Sequence, residues 1–244
     1  MMSEKRLPKP ILGLGALAIG YVLLHGLGPA SAQEMPKPFL DTRVPIEKVI
    51  PASPKAGSTA DRRDKRIIER TVRERTPAMC EKASADAELS PFTAYASVLG
   101  VGFRSEAYPK LANLLTRVGG DTWVAVRDAK AIWNRPRPAA ANPALATCAP
   151  LPKDGSYPSG HALYARVTGS ILANLVPSKA KAIRARSHDY AYQRVIAAVH
   201  YPSDVEAGER SGDAVFAALM SDARFKAALD EVRVETAPLR TRPR

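Results

Sequence analysis

Aromatic side chains are scarce in this 244-residue chain, at 6%, although apolar residues make up 45%. A core so poor in aromatics must be built from Ala, Leu, Val and Ile, and that mixture favours packed helices over sheet, which predicts an all-α fold. Cysteine is rarer still, with Cys80 and Cys148 the only two. Neither belongs to a C-x-x-C or Cys/His cluster, so the usual zinc sites are excluded, and neither metal nor cofactor is expected. Past residue 27 no apolar run approaches the roughly 20 residues of a membrane span, which argues against an integral membrane bundle. Cations are in excess but dispersed, with no basic stripe interleaved with aromatics, so nucleic acid is not an expected partner.

The N-terminus carries the clearest targeting signal. Lys5, Arg6 and Lys9 precede an apolar run from Ile11 to Leu27 in which His25 is the only residue that titrates near neutral pH, and Pro29-Ala30-Ser31-Ala32 supplies the small residues of a cleavage site. Residues 1–32 are expected to be a signal peptide cut after Ala32. An uncleaved anchor is the alternative, and only then would the protein sit at a membrane; either way the rest is exported, to the periplasm or beyond. In an oxidising compartment Cys80 and Cys148 are expected to pair, with two free buried thiols as the other reading. The net charge of +12 falls to +10 once Lys5, Arg6, Lys9 and Glu4 are removed. Such an excess favours anionic partners, small phosphorylated molecules among them.

Residues 33–57 hold five prolines with little periodicity and read as a leader, either extended against the domain or a loose linker. A helical domain spans 58–232. Its expected helices include one from Ser58, a short one over 76–87, one capped by Ser90 before Pro91, and a pair over 109–117 and 121–134 broken at Gly119-Gly120. Residues 135–157 carry five prolines and form a loop long enough to suggest function. Helices follow at 159–175, 178–199, 203–220 and 222–232, and the basic tail 233–244 is expected to be disordered from Pro238.

Three segments at helix mouths carry chemistry. In the first, Lys130 sits in the last turns of a helix, and Arg137 is held extended between Pro136 and Pro138. Two cations on one rigid corner suit the oxygens of a single phosphate, although helix-end cations are a plainer explanation. The second is Gly155-Ser156-Tyr157-Pro158-Ser159-Gly160-His161, in which Ser159 caps a helix and Gly160 opens the backbone to a ligand. His161 then faces whatever anion the free N–H groups hold. The third is Arg194-x5-His200-x3-Asp204, where Pro202 ends one helix and Ser203 is expected to cap the next. An Asp beside one ring nitrogen fixes a tautomer and leaves the other nitrogen free to attack. His188, flanked by Arg186, Ser187 and Asp189, reads as part of a solvated face.

Taken in order, Lys130-x6-Arg137-Pro138, Pro158-Ser159-Gly160-His161 and Arg194-x5-His200-x3-Asp204 resemble the three-part signature of the type 2 phosphatidic acid phosphatase superfamily. Within it the chain is most similar to bacterial class A non-specific acid phosphatases, through the Asp154–His161 run, Arg194-Val195-Ile196, Ser203-Asp204-Val205 and Ser221–Phe225. The resemblance implies a compact helical bundle of the acid phosphatase/vanadium haloperoxidase type, a homodimer, and metal-independent hydrolysis of phosphate monoesters. By that resemblance Lys130, Arg137, Ser159, Gly160 and Arg194 bind phosphate, His200 is the nucleophile oriented by Asp204, and His161 is the general acid, needing its proton while His200 stays neutral. One departure is Gln193, where the family usually has Ser. Rival readings are a lipid phosphatase at a membrane surface, a vanadate-dependent haloperoxidase and a non-catalytic periplasmic anion-binding protein. The last has no use for both His161 and His200.

Overall fold

The computed structural model describes residues 37–241, so the expected signal peptide and the last tail residues lie outside the described part. Among the described residues the fold is all-α, with no strand, and no helix is long and apolar enough to cross a membrane.

The helix that organises the core is α6, Gly160–Leu175, counted after α1 (Thr59–Glu74), α2 (Pro77–Ala85), α3 (Pro91–Leu99), α4 (Pro109–Trp133) and α5 (Pro138–Ala141). Leu163, Ala165, Val167, Ile171, Leu172 and Leu175 of α6 are fully buried, and Ala162 and Thr168 join them. A helix apolar on every side has to be enclosed. α7 (Ala180–Ile196) and α8 (Pro202–Ser221) flank it most closely, with α4 beside them and α9 (Ala223–Glu235) packed on α4 and α8. The α6–α8 contact is backbone to backbone: a Cβ at Gly208 would collide with the Ser159 carbonyl oxygen, and one at Gly212 would lie 2.8 Å from that of Leu163.

Sequence signals set several helix starts. Ser58, Thr76, Ser90 and Ser159 each accept a hydrogen bond from the third residue of the turn they cap, and Pro follows at the first helical position after Thr76 and Ser90. The Gly119-Gly120 break does not exist, because α4 runs unbroken from Pro109 to Trp133. Gly120 admits the leader instead. A Cβ at Gly120 would sit 2.8 Å from Pro38 Cγ, and the next residue, Asp121, accepts from the backbone N–H groups of Phe39 (3.1 Å) and Leu40 (2.9 Å). A glycine in a helix interior costs roughly 1 kcal/mol relative to alanine, which docking the leader offsets at Gly120.

The described part of the leader therefore lies against the domain. Phe39 is wholly buried, edge-on to Phe225 at 5.3 Å with the Arg117 guanidinium over its ring, and Ile46 is buried from a short 3₁₀ turn. At the other end Pro238 does not begin a disordered tail: Ala237–Thr241 forms α10, Leu239 is buried, and Arg240 Nε donates to the Leu175 carbonyl at 2.9 Å. Cys80 and Cys148 are disulfide-bonded, tying α2 to the 142–157 loop. The same loop is stitched to the end of α7, since Cys148 N donates to Ala197 O (3.2 Å) and Arg75 bridges the carbonyls of Ala146 and Ile196.

Candidate active site

α7 stops at Ile196, and the chain turns through Ala198, a non-glycine residue at φ +58°. Left-handed backbone is costly for an L-residue with a Cβ, and here the turn lets Val199 N and His200 N both donate to the Arg194 carbonyl, at 3.1 and 3.2 Å. His200 is thereby buried in the corner, with Nδ1 3.5 Å from Asp204 Oδ2 and Nε2 2.9 Å from Arg137 Nη1. A guanidinium only donates, so Nε2 carries the lone pair and Nδ1 the proton that faces Asp204. Asp204 is itself locked in place. Its Oδ2 accepts from Ser156 Oγ (2.5 Å) and Tyr201 N (2.7 Å), and its Oδ1 accepts from Arg135 Nη1 (2.7 Å). Ser203 does not cap α8. The helix begins at Pro202, Asp204 satisfies the Tyr201 N–H, and the Ser203 hydroxyl bonds Asp64 and Arg135 instead.

Three buried cations surround this corner. Lys130, at the end of α4, bonds the Gly155 carbonyl and lies 3.0 Å from Asp154 Oδ2. Arg137 donates to Asp154 Oδ1 (2.7 Å), to the Asp154 carbonyl (2.9 Å) and to the Val199 carbonyl (2.9 Å). Arg194 differs, since its Nε and Nη1 are buried with no hydrogen-bond partner. Burial, and then the charge of Arg137, lower the pKa of Lys130 to about 8 and that of Arg194 to about 10. An unsatisfied buried guanidinium is expensive, and such donors await an acceptor.

Ser159 caps α6, with Oγ accepting from Ala162 N at 3.3 Å, and its own N–H donates to the Asp204 carbonyl at 2.9 Å. Gly160 packs under Val126, where a Cβ would come to 3.3 Å. His161 Nε2 donates to the Asp86 carbonyl at 2.8 Å, leaving Nδ1 unprotonated. Desolvation, followed by the charge of Arg194, pushes His161 down to about 3, and burial with Arg137, Lys130 and Arg194 holds His200 well below its ordinary value. Both shifts favour the neutral imidazole over the imidazolium.

The model of the PAP2 superfamily matches residues 111–226, a span that includes Lys130, Arg137, Ser159, Gly160, His161, Arg194, His200 and Asp204. A Zymomonas mobilis acid phosphatase is 31% identical over 196 residues, covering 77% of this chain and 74% of that protein.

The chain belongs to the PAP2 superfamily.

Other relatives agree with that assignment. A Salmonella typhi non-specific acid phosphatase is 32% identical over 64% of this chain, which spans 65% of that relative's length. A non-specific acid phosphatase of Providencia stuartii is 29% identical, covering 79% of this chain and 81% of its own. Among solved structures, a transmembrane PAP2-type phosphatidylglycerolphosphate phosphatase from Bacillus subtilis matches with a TM-score of 0.51 at 19% identity, over 68% of this chain and 87% of that one. The last likeness is one of fold.

All three signature segments of the PAP2 chain thus meet in one place, and the charges of Arg137, Lys130 and Arg194 all act on His200. His188 lies elsewhere, exposed and 2.8 Å from Glu209. Gln193 is buried, its Nε2 donating to Asp189 at 2.9 Å while its Oε1 has no hydrogen-bond partner. Four residues of the site escape sequence reasoning. Arg135 sits inside the first signature segment beside Arg137, and Asp154 immediately precedes the second. Ser156 looks like loop filler, and Asp64, on α1, carries no sequence signal. Among the described residues no group of three or more His, Cys, Asp or Glu could hold a metal ion.

Proposed function

We propose that this chain is an exported acid phosphatase, a phosphoric monoester hydrolase that works on small phosphate esters through a phosphohistidine. The carrying observation is the pair of unpartnered, buried nitrogens of Arg194 within electrostatic reach of His200, whose unprotonated Nε2 is held by Arg137 at 2.9 Å. A tetrahedral dianion would satisfy Arg194 together with Lys130 and Arg137, aided by the Ser159–Gly160 turn, while presenting phosphorus to His200 Nε2. Donors fixed in a dry site also stabilise charge on the equatorial oxygens in the transition state.

In the first step the Nε2 lone pair forms a P–N bond as the ester P–O bond breaks, and the leaving oxygen takes a proton from His161. Asp204 balances the positive charge that the ring acquires. In the second step His161 accepts a proton from water, the hydroxyl adds to phosphorus, and the P–N electron pair returns to Nε2. The substrate's own charge favours protonation of His161, because a dianion beside Arg194 offsets the cationic field that adds to desolvation in lowering the imidazole's pKa.

The test is turnover of a chromogenic phosphate monoester with and without chelator. His200→Ala should abolish both turnover and acid-labile phosphate labelling. Full activity in that variant would remove the proposed nucleophile, and loss of wild-type activity in chelator would remove metal independence.

A further inference from the structure

One acidic side chain lies inside the cation cluster without a part in the proposed chemistry. Asp154 places Oδ2 3.0 Å from Lys130 Nζ and Oδ1 2.7 Å from Arg137 Nη2. Its two oxygens thereby occupy two of the three cations expected to grip phosphate, and the third, Arg194, is left with buried donors unmet. We propose that Asp154 is a resident counter-ion of the phosphate subsite: it holds Lys130 and Arg137 while the pocket is empty, is displaced by the phosphoryl group, and so sets the affinity for anionic substrate and product. This rests on the acid phosphatase reading.

Three features make the exchange feasible. The Lys130 and Arg137 side chains are 8% and 4% exposed, whereas that of Asp154 is 44% exposed, so only the carboxylate has solvent to swing into. The loop need not move with it, because Arg137 Nε grips the Asp154 carbonyl at 2.9 Å and Lys130 bonds the Gly155 carbonyl. Gly155 lies flush on the end of α4, where a Cβ would meet the Lys130 carbonyl at 3.3 Å. Finally, one carboxylate with a single charge cannot satisfy three cations, while a phosphate dianion has the oxygens and the charge to do so. Lys130 and Arg137 hold the Asp154 carboxyl below its ordinary range, against the opposing effect of burial, so the competing charge persists in mild acid.

Asp154→Asn keeps shape and hydrogen-bonding oxygen but removes the charge. Phosphate binding to the full folded chain is followed by titration calorimetry, and the inhibition constant of phosphate and the KM and kcat for a chromogenic monoester are measured in parallel. The expected result is a phosphate Kd, inhibition constant and KM each lower by about three- to tenfold, the range of one or two partly exposed ion pairs. A gain in affinity is something that loss of a merely structural group would not produce. Unchanged or weaker phosphate binding overturns the proposal. Asp154→Ser also lacks the charge, and the same affinities measured on it decide the matter should the Asn variant fail to fold. Calorimetry needs no turnover, so a wild-type chain that hydrolyses no ester would sink the phosphatase reading while leaving the counter-ion proposal to its own measurement.

Discussion

Arg135 grips Asp204 from the side opposite His200, with Nη1 2.7 Å from Oδ1 while Oδ2 faces the imidazole. The same guanidinium donates through Nη2 to Asp64 at 2.8 Å, lies 3.6 Å from Asp61 and stacks over Tyr201 at 4.1 Å. One buried cation thus joins α1 to the start of α8 and fixes the carboxylate that orients the nucleophile. Its cation also tempers the negative field that Asp204 applies to His200.

Arg135→Gln leaves Asp64 and Asp204 as buried carboxylates without their shared cation. Breaking such a network from one side costs about 3–5 kcal/mol. Urea unfolding should show a loss of that order, with Arg135→Lys recovering part of it, because an ammonium restores the charge but not the fork.

Arg194 gives the opposite result. Its guanidinium is buried with two donors unmet, so Arg194→Met should leave the anion-free protein as stable as before or more so. Loss of a preorganised donor at developing charge should still lower kcat/KM by roughly 10²–10³. Thermal unfolding and steady-state kinetics on the same preparation check both halves.

Acid should weaken the anion-free protein. The pKa values of His161 and His200 are depressed in the folded state, so the unfolded chain binds more protons once pH falls below the ordinary histidine value of 6.5. Stability contributed by the neutral rings is complete above that value and is lost progressively toward about pH 3. Phosphate should reverse part of the loss and take up protons as it binds. Unfolding temperatures across that window with and without phosphate, and calorimetry in buffers of different ionisation enthalpy, measure the two effects.

Gly208→Ala would drive a methyl group into the Ser159 carbonyl at the mouth of α6. Overpacking of this kind costs about 1–3 kcal/mol. Because Ser159 N also donates to the Asp204 carbonyl, the displacement reaches the site, and kcat should fall along with stability.

Local chemistry makes the helix mouths legible. Caps at Ser58, Ser90 and Ser159, Pro136 just past the end of α4, and paired His and Asp at fixed spacing are short-range signals, so the three segments and their order can be read from the chain. Sequence misleads where the deciding partner lies far away along the chain. Gly119-Gly120 looks like a break until Pro38 packs over it, and Pro238 looks like the start of a loose tail until Leu239 finds its apolar berth. Asp64 is one acidic residue among many on a charged helix, and only the fold brings it 2.8 Å from Arg135. The charge state of His161 is hidden in the sequence because burial beside Arg194 is a property of the assembled pocket.

The leader's attachment to α4 also marks a limit on trimming. Phe39 fills the core, and the N–H groups of residues 39 and 40 are spoken for by Asp121. A protease working inward from the N-terminus therefore meets resistance at Lys37-Pro38, where further cutting removes part of the folded body. A cut after Ala32, where a signal peptide is proposed to end, would stop short of that boundary and leave the attachment of residues 39 and 40 to Asp121 intact.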